Sequence, residues 1–253
     1  MIQASGEAQP VVALFVSDVH LHEGIPRTTD AFLRFLDGPA LHASHVYLLG
    51  DIFEYWAGDD DIDGGYNAGI VAALRRLSDS GVKLYWMAGN RDFLVGEEFA
   101  YRAGMTLLGD PTVVEHAGLR IVLAHGDAAC TDDTDYMRFR AQVRDPSWQQ
   151  RFLAMPLAER KAIIDGMRDG SRQAQRQKTM DIMDVNAGAI DALFASSGAT
   201  VLVHGHTHRP AVHEGRGVVR HVLPDWDCDG AIPRGGWLAL REDGVFVRVG
   251  VEG

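Results

Sequence analysis

Cysteine is nearly absent: the 253 residues hold only Cys130 and Cys228, with no C-x-x-C pair. That excludes a disulfide framework and a thiolate metal cage, and fits a reducing compartment. Long apolar runs are missing too. None reaches the roughly 18 residues that a bilayer-spanning helix needs. Residues 1–10 lack the basic-then-apolar pattern of a secretory leader, so none is expected. Positive charge is scarce, with 24 Lys and Arg against 35 Asp and Glu, a net of −11. A broad basic surface for nucleic acid is thereby disfavoured, and no nucleic-acid partner is expected. Internal repeats and low-complexity tracts are lacking as well. What is present is 46% hydrophobic residues, ample for the core of one large α/β domain with an insertion.

Apolar runs predict strands at Val11–Val16, 46–49, 83–88, Thr112–His116, 119–124, 200–203, 211–213, 218–223, 236–240 and 245–249. Helical spacing predicts helices over 29–36, 66–80 and 93–103, the last two closed by Gly81 and Gly104. From 132 to about 197 the pattern is helical throughout. It is interrupted at Asp145-Pro146 and Met155-Pro156, two helix-start junctions. Alternating β and α, a helical insertion, then a β-rich end imply two stacked sheets flanked by helices.

Five of these strands finish in ligand-grade residues. Val11–Val16 runs into Ser17-Asp18-Val19-His20. The second reaches Gly50-Asp51, and the third Gly89-Asn90-Arg91-Asp92. The fifth reaches His125-Gly126-Asp127, and the sixth His204-Gly205-His206-Thr207-His208. Any one of these has an ordinary explanation. An Asp at a strand end is usually a turn former or a helix cap. A single His is usually a hydrogen-bonded structural residue, and Asn90 could be a turn residue with positive φ. His22, His42, His45, His116, His213 and His221 are read that way. The coincidence of all the others in one order is what needs a metal centre. Carboxylate, amide and imidazole without thiolate suit Mn²⁺ or Fe²⁺ better than structural zinc.

In this order, D-x-H, G-D, G-N-R-D, H-G-D and G-H-x-H resemble the signature of the calcineurin-like metallophosphoesterases. The resemblance implies a four-layer α/β/β/α sandwich, here a single domain over 1–253, with a helical cap at about 132–197. It implies two Mn²⁺ ions, one held by Asp18, His20, Asp51 and His208. The other is held by Asp51, Asn90, His125 and His206, with Asp51 bridging. His204, Asp92 and Asp127 are expected behind these ligands. Cys130 is near the site without a sign of reactivity.

Wider motifs at 50–60, 89–94, 125–133, 182–186 and 205–210 are similar to the UDP-2,3-diacylglucosamine diphosphatases, lipid A pathway hydrolases of Gram-negative bacteria. The likeness covers roughly 11–249. It implies attack of metal-activated water on the α-phosphate, giving UMP and 2,3-diacylglucosamine 1-phosphate. Asp51, Asn90, Arg91 and His206 would carry the catalysis. Substrate would be held by Asn90, Arg91, Asp133, Ser171, Gln175, Lys178 and His206, with Tyr136 a further candidate near the diphosphate. Gln175 departs from the usual Asn, which weakens its transfer. Arg91 stands where many phosphoesterases have His. A pyrophosphate expels a phosphate ester that already leaves well, so a permanently charged fork serves better there than a general acid.

The insertion fits a lipid-linked substrate. Between Tyr136 and Lys178, ten basic residues face four acidic ones, a segment at +6 inside a chain at −11. Apolar residues such as Phe139, Trp148, Phe152, Leu153 and Ile163 are interleaved. Such a cap can hold acyl chains and touch an anionic bilayer surface. A cytoplasmic monomer, peripherally attached to the inner membrane, is expected. Two alternatives remain: a relative acting on soluble nucleotides or dinucleoside polyphosphates, and a metal-free scaffold.

Overall fold

The computed structural model describes residues 9–177 and 184–251, with backbone only for 168–177. Lys178 and residues 182–183 of the expected motif lie outside the described residues, as do the side chains of Ser171 and Gln175. The first sheet is built from β1 (Val11–Val16), β2 (Ala43–Leu49), β3 (Lys83–Met87), β4 (Met105–Leu108), β10 (Gly236–Arg241) and β11 (Phe246–Gly250). Its order is β11-β10-β1-β2-β3-β4. β1 to β4 run parallel, and β10 and β11 are antiparallel additions. The second sheet has the order β5-β6-β7-β9-β8. Its strands are β5 (Thr112–His116), β6 (Leu119–Leu123), β7 (Val201–His204), β8 (Ala211–Gly215) and β9 (Val218–Val222).

The central strands are apolar at consecutive positions because both of their faces are covered. Alternate residues of β1 show it. Ala13 and Phe15 face the second sheet and meet Tyr47, Leu49, Ile121, Leu123 and Val203 between the sheets. Leu14 and Val16 face outward and meet Phe32, Phe35, Leu74 and Phe99. These come from α1 (Pro26–Asp37), α2 (Gly65–Asp79) and α3 (Glu97–Ala103). On the far side, Val122 and Leu202 are covered by Ile190 and Leu193 of α7 (Ala187–Ser197). The result is the expected α/β/β/α layering. Of the stretch 132–197 expected as a helical insertion, α7 thus packs as a layer of the sandwich, and three helices precede it: α4 (Thr134–Val143), α5 (Pro146–Leu153) and α6 (Leu157–Gln177). Asp133 and Asp145 cap α4 and α5 by accepting from the N–H of Tyr136 and Trp148. Buried Arg160 ties α6 back to the Ala57 carbonyl and to Asp60.

Two local expectations are corrected. The helix expected over 93–103 starts only at Glu97. Its first turn is capped from outside the helix, where Asp59 accepts from the N–H of Gly96 at 3.0 Å and of Phe99 at 2.9 Å. The chain before it is a turn in which the Val95 N–H donates to the Asp92 carbonyl at 3.1 Å. Strand β4 was not expected; it is a four-residue edge strand directly after Gly104, half exposed and without a long apolar run.

Candidate dinuclear metal site

All five strand ends singled out from the sequence open on the same edge of the sandwich. The loops are stitched together by backbone hydrogen bonds. The Asp18 N–H donates to Gly50, the His20 N–H to Asp51, and the Gly205 N–H to His125. The buried Asp92 carboxylate accepts from the N–H groups of Gly89, Asp51, Ile52 and Phe53, so it locks two ligand loops to each other.

Six ligand side chains converge in two trios, Asp18, His20 and His208, and Asp51, His125 and His206. Within each trio the ligand atoms lie within 4.8 Å of one another. Asn90 joins the second, its Oδ1 3.0 Å from His125 Nε2. Four features show that these residues fit divalent cations. Asp18 is fully buried, and its Oδ2 is occupied by Ser17 Oγ at 2.6 Å and the His206 N–H at 2.9 Å. Its Oδ1 has no hydrogen-bond partner and points into the first trio, 3.5 Å from His208 Nε2. His20 Nε2 and His208 Nε2 face each other at 3.3 Å, which two lone pairs do not tolerate without a proton or a cation. Asp18, His20, Asp51, His206 and His208 all have φ between 53° and 69°. Backbone strain of this kind, at non-glycine residues, persists where a site demands it. Finally, Gly89 and Gly205 admit no side chain, because a Cβ there would collide with the Asp51 and Asp18 carboxylates.

Electrostatics agree. Burial lowers the proton affinity of His125, yet Asp51, Asp127 and Asp18 raise its pKa to about 9. The cavity is therefore anionic enough to hold a positive charge on a fully buried imidazole. Burial opposes ionisation of Asp18, but its contacts with His208 hold the carboxyl below its ordinary range. His206 shifts the other way, down to about 4, by burial and the neighbouring charge of His125.

The residues behind the ligands are only partly those expected. Glu54 Oε2 lies 3.2 Å from His20 Nδ1, and its Oε1 lies 3.9 Å from Arg91. Asp225 lies 3.6 Å from His208 Nδ1 and is itself gripped by Arg234 at 2.8 Å. Neither role is legible in the sequence: Glu54 lies in the motif at 50–60, but Asp225 is far from any motif. His125 Nδ1 pairs with the Leu49 carbonyl at 2.9 Å, leaving Nε2 for the site. Asp127, two residues after His125, accepts from Tyr136 Oη at 2.6 Å and Arg140 Nε at 2.8 Å. His204 touches no ligand side chain among the described hydrogen bonds. Arg220 donates to its Nε2 at 3.2 Å, so its Nδ1 carries the proton to the Gly205 carbonyl at 2.9 Å. It props the backbone before His206. Arg91 donates its backbone N–H to Asp51 Oδ1 at 2.7 Å, and its guanidinium, 3.9 Å from Glu54, is partly exposed. Asp133 caps α4, and the Tyr136 ring stacks on His206 with centroids 6.0 Å apart.

Two ligand trios sharing one edge of the sandwich define a dinuclear metallohydrolase centre. Residues 12–210 match the model of the calcineurin-like phosphoesterases, and the chain belongs to that family. Among curated relatives, the UDP-2,3-diacylglucosamine hydrolase of Aromatoleum aromaticum is 50% identical over 221 residues, 86% of this chain and 90% of its own length. The enzymes of the same name from Chromohalobacter salexigens and Stenotrophomonas maltophilia are 47% and 45% identical, covering 92% and 90% of this chain and 94% and 97% of theirs. Among the described residues, no helix is long and apolar enough to cross a membrane.

Proposed function

We propose that this chain hydrolyses UDP-2,3-diacylglucosamine to UMP and 2,3-diacylglucosamine 1-phosphate (lipid X), a step of lipid A synthesis, with two Mn²⁺ ions as its metals. The observation that carries the reading is the pair of ligand trios, with the Arg91 backbone N–H on Asp51, in a chain half-identical to enzymes of that name. Asp18, His20 and His208 would hold one ion, and Asn90, His125 and His206 the other, with Asp51 shared between them. Ions bound there supply Lewis acidity and an activated water at neutral pH.

The protein's own groups do the rest. Water adds to the α-phosphorus and the P–O bond to the sugar phosphate breaks. The Arg91 guanidinium faces the phosphoryl oxygens with a fixed positive fork, and the Asn90 amide and His206 imidazole flank them. No side chain need protonate the leaving phosphate ester. Asp133, Ser171, Gln175 and Lys178 would bind the substrate further out, with α4 to α6 as its cap. Phe139, Leu153 and Met167 are exposed on these helices beside Arg138 and Arg151, which suits acyl chains and peripheral contact with the anionic inner face of the inner membrane.

The test is UMP release from UDP-2,3-diacylglucosamine in detergent micelles, with Mn²⁺ and then with EDTA. Release that EDTA abolishes is expected. Metal-dependent cleavage of a soluble dinucleoside polyphosphate, without UMP release from the lipid, would keep the phosphoesterase and discard the substrate.

A further inference from the structure

Helix α4 turns Tyr136, Arg140 and Arg144, each one turn from the next, toward the ligand loops. Arg144 Nη2 donates to the carbonyls of Ala88 at 3.1 Å and Gly89 at 2.8 Å. The N–H of Gly89 is held by Asp92 at 2.8 Å, so the Ala88–Gly89 peptide unit, just before Asn90, is gripped from both sides. Arg140 Nε donates to Asp127 at 2.8 Å, and its Nη2 lies 3.5 Å from Asp110 Oδ2. Asp110 in turn accepts from the His125 N–H at 3.3 Å. Both guanidiniums thus end on chain segments that carry Asn90 and His125. Among the described residues, no hydrogen bond or ion pair joins either arginine to Asp18, His20 or His208.

We propose that Arg144 and Arg140 are positioning residues for the second cluster. Docking of α4 sets the places of Asn90 and His125, so the cap helix and the second metal position assemble together while the first position stands independently. This rests on reading the two clusters as a metal site. Both Arg144 bonds come from one guanidinium nitrogen, while the central carbon of the group lies over the Phe93 ring, 5.7 Å from its centroid, a cation–π contact that holds an arginine better than an ammonium on a flexible stem.

The experiment is calorimetric titration of Mn²⁺ into the metal-free wild type, Arg144→Ala, Arg144→Lys and Arg140→Gln, with thermal unfolding of each metal-free protein. Arg144→Ala is expected to weaken one of two binding steps about tenfold and to leave the other within about twofold. Arg144→Lys recovers part of the loss, and Arg140→Gln weakens the same step. Unchanged binding in Arg144→Ala, or equal weakening of both steps together with a large fall in Tm, would overturn the proposal. Should Arg144→Ala fail to fold, Arg144→Lys decides: weakening of one step supports it, and weakening of neither or both refutes it. A wild type that takes up fewer than two ions defeats the dinuclear reading itself. A wild type with two ions beside an indifferent Arg144→Ala defeats only the positioning role.

Discussion

The two ligand clusters are neighbours but are held by different means. In the first, each imidazole is backed by a carboxylate, Glu54 behind His20 and Asp225 behind His208. His208 is 41% exposed, and the supports come from loops of the sandwich itself. In the second, Asp51 and His125 are buried, the His125 imidazole is backed by a neutral carbonyl, and helix α4 with its C-cap braces the loops. A carboxylate behind an imidazole raises its basicity; a carbonyl only orients it. The first cluster is therefore more open, with a carboxylate directly behind each ring, while the second is more enclosed and geometrically constrained. The difference suggests a division of labour in which affinity is built at one position and placement at the other.

The largest effect should come from the residue that would join them. Asp51→Ala is expected to lower UMP release by more than about 100-fold, the upper end of losses seen for residues merely behind a ligand. Its thermal midpoint, measured without metal, should hold, since Asp92 continues to pin the loop N–H groups. Activity above a few per cent would show that the clusters do not share this carboxylate.

A smaller and selective loss is expected behind the first cluster. Asp225→Asn keeps the shape beside His208 but removes the charge that orients and polarises the ring. One Mn²⁺ binding step should weaken about 10-fold, with the other unchanged. This loss and that of Arg144→Ala should fall on different steps. If both variants weaken the same step in the titration, the clusters are not separately supported and the comparison fails.

The ligands themselves were legible in the sequence because each ends a strand, and a strand end is both an apolar run and a fixed direction. Asp18, Asp51 and His125 are read off as punctuation of such runs. Asp225 was not legible, because it follows β9 on a loop whose approach to His208 depends on the pairing of β7 with β9. Arg140 and Arg144 stood in plain view but were counted as part of a basic cap. Only their contacts with the segments that follow β3 and β6 turn them into a brace. The late start of α3 has the same cause: its cap, Asp59, lies far from it in sequence. Local pattern reveals what local structure fixes, and these contacts are tertiary.

Burial alone does not account for the behaviour of the imidazoles, and His221 of β9 offers the sharpest contrast with His125. Both are buried, but His125 is surrounded by carboxylates and retains its proton to about pH 9, whereas His221 packs on the Phe246 ring with Nδ1 unpaired. Burial, then the charge of Arg248, lowers its pKa to about 4 from the ordinary 6.5. The unfolded chain takes up a proton at 6.5 and the folded chain only near 4, so between these values the unfolded state binds more protons. Stability from this site is complete above the unfolded value and is lost as the pH falls toward the folded one. His116, also lowered to about 4 by burial, contributes in the same window. Replacing His221 by Phe removes one proton site and keeps an aromatic ring against Phe246. The fall in Tm from about pH 7 to about pH 5 should then shrink by about 2–4 °C, the shift that roughly 1 kcal/mol produces in a chain of this size. An unchanged slope in metal-free protein would mean that His221 is already protonated in the fold, and that carboxylates are not what separates the two buried rings.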